Sequence, residues 1–186
     1  MDLVELHATA EGECNARVHA IRDDQWTKPT PCTEWDVRTL LNHLVYEQLW
    51  APELLRGATV EEVGDRFDGD VLGDDPFKSW STAARAAHDE VARVDMDRMI
   101  HVSWGQIPAS VYVEQLILDL AVHGWDVAKG IGYDDTIDPG VVDAVLSQVQ
   151  RDAEMLSSSG VFGTPVPVAA DADPQTRLLS LLGRRR

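Results

Sequence analysis

Two helix-like segments carry polar side chains of the types that bind metal ions, each beside an apolar stripe. One segment, Leu-Leu-Asn-His-Leu-Val, contains His43, and the other contains Asp119 and His123. Asp119 and His123 are four residues apart, so on a helix they lie on one face about one turn apart. His43 would supply an imidazole from a separate helix. Two imidazoles and one carboxylate, with room for water, are the ligands of an open catalytic metal site.

Helical periodicity predicts that these ligands lie on corresponding flanks of two long helices. Apolar residues recur at three- and four-residue steps over residues 33–55 and again over residues 109–129. At 100° per residue, His43 falls about a quarter-turn from the centre of the first apolar stripe. Asp119 and His123 have a similar offset on the second helix. We therefore expect the two helices to bring these side chains to a shared cleft.

Further helices complete the predicted organisation. The helix over 33–55 is expected to begin at Thr33 as N-cap, and the helix over 109–129 to end at Gly130. Other helices are expected over residues 3–22, 76–91, 138–159 and 173–182, and irregular segments over 57–75, 95–108 and 161–168. Many helices and few strand signals predict an all-α bundle. We expect this bundle at residues 1–160, with an extended segment and a short helix, residues 161–186, packed on it.

Length, charge and cysteine content narrow the class of protein. The chain has 186 residues, typical of one domain, and its net charge of −16 disfavours nucleic acid and anionic membranes as partners. No apolar run is long enough to cross a bilayer, and the N-terminus lacks a secretory signal. Cys14 and Cys32 have no zinc-type spacing and are expected to be reduced thiols. We expect a cytoplasmic protein, with the tail at 184–186 in solvent.

Three motifs follow one another along nearly the whole chain. The first joins Trp26 to Pro-Thr-Pro-Cys-Thr-Glu-Trp-Asp-Val-Arg at 29–38 and Leu-Asn-His-Leu at 41–44. The second is Asp-Leu-Ala-Val-His-Gly-Trp-Asp-Val-Ala at 119–128, and the third is the Phe-Gly, Pro-Val-Pro-Val and Asp-Ala-Asp-Pro-Gln-Thr-Arg-Leu-Leu series within 162–179. In this order they resemble the N-terminal domain of mycothiol-dependent maleylpyruvate isomerases, within the DinB/YfiT-like superfamily, and its single-domain actinobacterial-type members.

The resemblance implies a fold, a metal and a co-substrate. The fold would be a DinB-like four-helix bundle, here with extra short helices and an extended C-terminal tail. His43, Asp119 and His123 fall on the positions that hold a divalent metal, usually zinc, and mycothiol or a similar thiol would be the co-substrate. Two departures are present: the isomerases have Glu at the position of Asp119, and they carry a second domain for which this chain is too short. Thiol chemistry is therefore expected, but maleylpyruvate is not assigned as the substrate.

The predicted chemistry is activation of a thiol for attack on a small electrophile. A free thiol has a pKa of roughly 8.5, and coordination to zinc deprotonates it. Transfer of the thiol, or its addition and later elimination in an isomerisation, would also need an acid or base. Glu47, Tyr112 and Asp126 are the candidate catalytic residues because they lie on the same flanks as the ligands. Asp126 has a second interpretation, as a carboxylate that orients a ligand imidazole.

Other functions remain open at this point. The bundle could bind metal without turnover, as a binding or regulatory module, or it could be a thiol-independent metalloenzyme of a natural-product pathway. A homodimer is a further expectation. The remaining histidines are interpreted as core or surface residues without a companion at ligand spacing: His7, His19, His88 and His101.

Overall fold

The structure is a computed structural model that describes residues 1–153 and 163–186. Its elements are α1 (Leu3–His19), a 3-10 turn (Asp23–Gln25), α2 (Val37–Arg56), α3 (Val60–Val63), α4 (Pro76–Val91), β1 (Met99–Val102), β2 (Gly105–Pro108), α5 (Ala109–Ile131), α6 (Pro139–Arg151) and α7 (Pro174–Leu181). The predicted all-α fold class is confirmed. The predicted end, near residue 159, of the helix that begins at residue 138 and the start of the tail at 161–162 lie outside the described residues.

Four long helices form the bundle. Helix α1 packs on α4 and α5, and α2 packs on the same two helices, so the four form a closed ring. Fully buried side chains fill its interior, among them Leu40, Leu44, Trp80, Leu116 and Leu120. The site discussed below is formed where α2 meets α5.

Helix α2 begins later than predicted. Asp36, and not Thr33, is the N-cap, and its carboxylate accepts a first-turn backbone N–H at 2.8 Å. Residues 26–36 form a loop that folds back on this first turn, where the backbone N of Arg38 donates to the carbonyl of Trp26 at 2.9 Å. In a helix that began at Thr33, the backbone N–H of Arg38 would bond to a carbonyl within the helix. Here the loop supplies the acceptor instead.

Helix α5 continues through Gly130, so the predicted end at this glycine is wrong. The helix ends at Gly132, which adopts a left-handed conformation with φ of 70°. Gly130 has a packing role instead. A Cβ at this position would lie 3.2 Å from atoms of Pro29, Thr30 and Val37. The glycine therefore lets the loop of residues 26–36 approach α5 closely.

The segment before α5, predicted to be irregular, contains a small antiparallel sheet. Ile100 of β1 faces Ile107 of β2, and Val102 faces Gly105. Ile100 and Val102 are buried, whereas the residues beside them are more exposed. This alternation of buried and more exposed residues is typical of a strand. Four residues are too few for the pattern to be recognised in the sequence alone.

The C-terminal residues pack on the bundle through α6 and α7. Asp138 and Asp173 are the N-caps of these helices, at the positions where the two helices were expected to begin. Leu178, Leu179 and Leu182 are almost fully buried, and Gly183 adopts a positive φ of 81°. The chain then turns toward the junction of α2 and α5. The first helix is shorter than predicted and ends at His19.

No helix within residues 1–153 and 163–186 is long and apolar enough to cross a bilayer.

Candidate metal centre

His43 of α2 lies next to Asp119 and His123 of α5. One carboxylate oxygen, Asp119 Oδ1, is 3.2 Å from His43 Nε2 and 3.4 Å from His123 Nε2. The three side chains each offer a ligand atom, and all these atoms lie within 4.8 Å of one another. Two ligands held roughly 2.0–2.1 Å from a tetrahedral zinc are about 3.3 Å apart. The spacing of both His–Asp pairs therefore fits coordination of one ion.

The second oxygen of Asp119 supports the same interpretation. Asp119 Oδ2 is buried and has no hydrogen-bond partner among the described residues. Buried carboxylate oxygens are seldom left unpaired, because removal from water is costly unless the charge is compensated. A cation beside the three side chains would provide that compensation, so the residues present fit a divalent metal.

The site is partly open to solvent, with His123 as its most buried side chain. The side chain of His123 is 10% exposed, whereas those of His43 and Asp119 are 23% and 20% exposed. Three protein ligands with one accessible side leave coordination positions for water or a substrate. This arrangement is typical of a catalytic metal site rather than a structural one.

Asp126 contacts Nδ1 of His123, whereas Nε2 of the same ring faces Asp119. Asp126 is fully buried, and its Oδ2 accepts a hydrogen bond from His123 Nδ1 at 3.1 Å. With its proton on Nδ1, His123 keeps a lone pair on Nε2, the nitrogen that faces Asp119. Asp126 thus has the position of an orienting residue, the second of the two roles predicted for it.

Arg184 extends this arrangement to the C-terminal end of the chain. Its Nη2 donates to Asp126 Oδ2 at 2.8 Å, and its Nε donates to Asp126 Oδ1 at 3.3 Å. Nη1 donates to the carbonyl of Leu182 at 2.8 Å. The prediction that residue 184 belongs to a solvent-exposed tail is therefore wrong. The local sequence gave no signal for this contact, because it depends on how α7 packs.

The charges at the site compensate one another. Burial acts to raise the pKa of Asp119, but nearby His123 and the hydrogen bond to His43 lower it below its usual value. Burial acts to lower the pKa of His43, but the hydrogen bond to Asp119 and its negative charge raise it. Without a metal, a proton on His43 partly compensates the Asp119 charge. Metal binding would displace that proton, so it would be favoured as the pH rises.

Glu47 and Tyr112, the other predicted catalytic residues, line the same cleft. Glu47 lies one turn beyond His43 on α2, and burial together with the negative charge of Asp119 raises its pKa to about 7. Burial, reinforced by the charge of Glu47, also raises the pKa of the Tyr112 phenol. At neutral pH Glu47 can therefore take up or release a proton, while Tyr112 remains a hydrogen-bond donor.

The metal-ligand residues open into a cleft of about 1390 Å³. Its walls include Trp35, Trp50 and Trp104, and the ring of Trp35 lies 4.7 Å from that of His43 and 5.7 Å from that of His123. Its volume exceeds the roughly 300–1,000 Å³ of most small-ligand pockets. A cleft of this size can hold two reactants at once, with Trp35 shielding the imidazoles.

Cys32 is a residue of this cleft that the sequence did not assign to the site. With His123 and Asp126 it forms a second set of potential ligands whose atoms lie within 4.8 Å of one another. Asp126 is already paired with Arg184, and burial raises the pKa of Cys32 above its usual value. A thiol with a raised pKa is a poorer metal ligand. Metal binding by this second set would also break the salt bridge between Asp126 and Arg184. The His43, Asp119 and His123 set is therefore favoured.

Comparisons with known proteins found a family model and relatives from mycobacteria. The family model described as the mycothiol maleylpyruvate isomerase N-terminal domain matches residues 7–128. Two relatives from strains of Mycobacterium tuberculosis, uncharacterized proteins MT0763 and Rv0738, are each 27% identical over 191 residues, covering 99% of this chain and 98% of the relative. No solved structure gives a significant match. The matched range contains all three ligand residues but not Arg184.

Proposed function

The chain belongs to the mycothiol maleylpyruvate isomerase N-terminal domain family, and on this premise we propose that it is a metal-dependent enzyme of thiol chemistry. The reaction is transfer of a low-molecular-weight thiol, of the mycothiol type, to a small electrophile. It ends either at the thiol adduct or, after elimination, at an isomer. The observation that carries the proposal is the single oxygen of Asp119 placed between the imidazoles of His43 and His123.

His43, Asp119 and His123 are the residues that would hold the cation, with zinc as the favoured ion. A bound divalent cation supplies Lewis acidity, which lowers the pKa of a coordinated thiol from roughly 8.5 and makes it a thiolate at neutral pH. Asp126 accepts a hydrogen bond from Nδ1 of His123 and so directs Nε2 toward the ion, and Arg184 holds Asp126 in place. The chain's own contribution is thus a fixed set of ligands with one side open to the cleft.

Glu47 is the proposed proton acceptor. When the S–H bond of the thiol breaks, its proton passes to the Glu47 carboxylate, whose pKa of about 7 suits transfer in both directions. The sulfur then forms a bond to the electrophilic carbon. Glu47 returns the proton to the carbon or oxygen that gained the electron pair. Tyr112 donates a hydrogen bond to the negative charge that develops on the electrophile.

The large cleft supports a reaction with two substrates. Tryptophan side chains line its walls, and polar groups from α2 and α5 converge at its base. The apolar part provides area for an electrophile, and the remaining volume admits a thiol bulkier than cysteine.

Metal analysis and a thiol-dependent assay test the proposal together. The protein is purified without an affinity tag, its metal content is measured, and loss of test electrophiles such as activated alkenes is followed with and without mycothiol. We expect about one metal equivalent that is lost when His43 or Asp119 is replaced, and turnover that requires both metal and thiol. His43→Ala and Asp119→Asn should each abolish turnover and lower metal affinity at least 100-fold.

His101→Gln is the matched control, because His101 lies on β1 outside the ligand set. It should retain the metal and the activity of the unmodified chain. Turnover that needs metal but not thiol would replace the proposal with a thiol-independent metalloenzyme. Metal binding at this centre without turnover of any electrophile would favour a binding or regulatory module.

A further inference from the structure

A second group of two imidazoles and one carboxylate lies between α1 and α4. His7 and Glu11 are one turn apart on α1, and His88 faces them from α4. Their potential ligand atoms all lie within 4.8 Å of one another, and His88 Nδ1 is 3.5 Å from Glu11 Oε2. The first centre uses different helices, α2 and α5. The two groups therefore share no residue and could bind ions independently.

Three ring nitrogens of this second group are buried without a hydrogen bond among the described residues. His7 is 0% exposed, and neither of its ring nitrogens has a hydrogen-bond partner among the described residues. His88 Nδ1 is likewise buried without such a partner. A core histidine normally donates or accepts at least one hydrogen bond, because burial without one is costly. Three buried nitrogens without hydrogen bonds, beside one carboxylate, point to a missing common partner.

The chemistry of that partner follows from the donor atoms. Burial, assisted by the nearby His88, lowers the pKa of His7 to about 4, so its imidazole stays neutral at physiological pH. Neutral imidazoles suit divalent transition metals such as zinc, cobalt or nickel, whereas calcium and magnesium prefer oxygen ligands. The Glu11 carboxylate supplies the negative charge that such an ion needs for burial.

We propose that His7, Glu11 and His88 form a second binding site for a divalent transition-metal ion that links α1 to α4. None of the three side chains lines the large cleft at the first centre. The role that we assign is therefore structural, since the ion would join two helices of the ring through their side chains. The proposal does not depend on thiol chemistry, so it stands or falls independently of the proposed function.

Cobalt titration of the full chain tests the second site directly. The chelator-treated protein carrying His43→Ala and His123→Ala lacks the first centre, and Co²⁺ is added while the visible absorption of the ion is recorded. We expect one remaining equivalent of tightly bound Co²⁺ with absorption typical of low coordination number. Adding Glu11→Gln or His88→Gln to this background should weaken binding at least 10-fold.

Folding must be separated from binding in these variants. Glu11 and His88 are partly exposed, so their replacement by glutamine is milder than removal of the fully buried His7. His19→Gln is the control, because His19 is on the same helix but exposed. Circular dichroism should show the same helix content in all variants. In the same background, Zn²⁺ at about a hundredfold of Kd should raise Tm on the order of 5 °C, and at the same Zn²⁺ concentration Glu11→Gln should reduce this shift to about half or less.

Two results would overturn the second site. The first is the absence of any Co²⁺ equivalent once His43 and His123 are replaced. The second is a remaining equivalent whose affinity is the same in the Glu11→Gln and His88→Gln variants, which would locate the ion elsewhere. Either result would leave the histidine pair as a stacked core contact, with ring centroids 5.9 Å apart.

Discussion

Arg184 forms a two-point salt bridge with the buried carboxylate of Asp126, through Nη2 at 2.8 Å and Nε at 3.3 Å. Because Asp126 also accepts a hydrogen bond from His123, the C-terminal end of the chain is connected to a proposed metal ligand through a single side chain. The family match ends at residue 128, so this support comes from a part of the chain beyond it.

Replacement of Arg184 should therefore weaken metal binding without removing a ligand. In Arg184→Ala the Asp126 charge stays buried without its partner, which should cost about 3–5 kcal/mol of folding free energy. Loss of an orienting contact of this kind lowers metal affinity by roughly 10–100-fold. Zinc calorimetry and urea unfolding would measure both effects. Arg185→Ala, at an exposed neighbour, should change neither, and equal zinc affinity in the two variants would refute the link.

Glu47 should determine how activity depends on pH. Burial and the charge of Asp119 raise its pKa to about 7 in the metal-free protein, and a bound cation would lower it, so the carboxylate form that accepts a proton accumulates as the pH rises toward 7. We expect kcat to increase over this range and Glu47→Gln to lower it about 100-fold at neutral pH with the metal still bound. Glu61→Gln, on the exposed face of α3, is the control. A Glu47→Gln variant with the unmodified pH profile would exclude Glu47 as the base.

The raised pKa of Glu47 also predicts how stability changes with pH in the metal-free protein. A carboxyl group whose pKa is higher in the folded state stabilises the fold below its unfolded pKa, and this contribution is lost as the pH rises through the folded value. The free energy of unfolding should therefore decrease between about pH 4.5 and pH 7 because of this group. In Glu47→Gln that decrease should be smaller. Urea unfolding of the two chains across this range would detect the difference.

A pair of glycine substitutions tests the packing of the loop that carries Trp35. Gly130→Ala places a Cβ 3.2 Å from the loop atoms around Pro29 and Thr30, and it should destabilise the fold by about 1–3 kcal/mol. Gly12→Ala on α1 meets no atom within 4 Å and should stabilise by about 0.5–1 kcal/mol through helix propensity. Chemical unfolding gives both values. Equal effects of the two substitutions would mean that the loop does not pack tightly on α5.

Much of the fold could be predicted because its signals are local. Asp138 before Pro139 and Asp173 before Pro174 indicate where two helices begin. Apolar periodicity indicates the positions of the long helices. The start of α2 was placed at Thr33 because the fold-back of the preceding loop, which makes Asp36 the cap, is a tertiary contact. Gly130 was interpreted as a helix end because sequence cannot distinguish a terminating glycine from one that admits a neighbouring loop.

Some features of the candidate site could likewise be predicted from local sequence, whereas others depend on tertiary contacts. The spacing of Asp119 and His123 is a property of one helix, so it could be read directly. The contribution of Arg184 depends on the path of the chain after α7, which no periodicity encodes. The second histidine group was missed, although His7 and Glu11 have the same four-residue spacing, because His88 reaches them only when α1 packs on α4.

The most direct test of the account is the position of the metal itself. A crystal structure of the zinc-loaded protein with anomalous diffraction at the zinc edge would locate it. The account predicts an ion roughly 2.0–2.2 Å from His43 Nε2, Asp119 Oδ1 and His123 Nε2, with a further position open to the cleft. An ion held by Cys32 in place of His43, or no ion between α2 and α5 at saturating zinc, would contradict it.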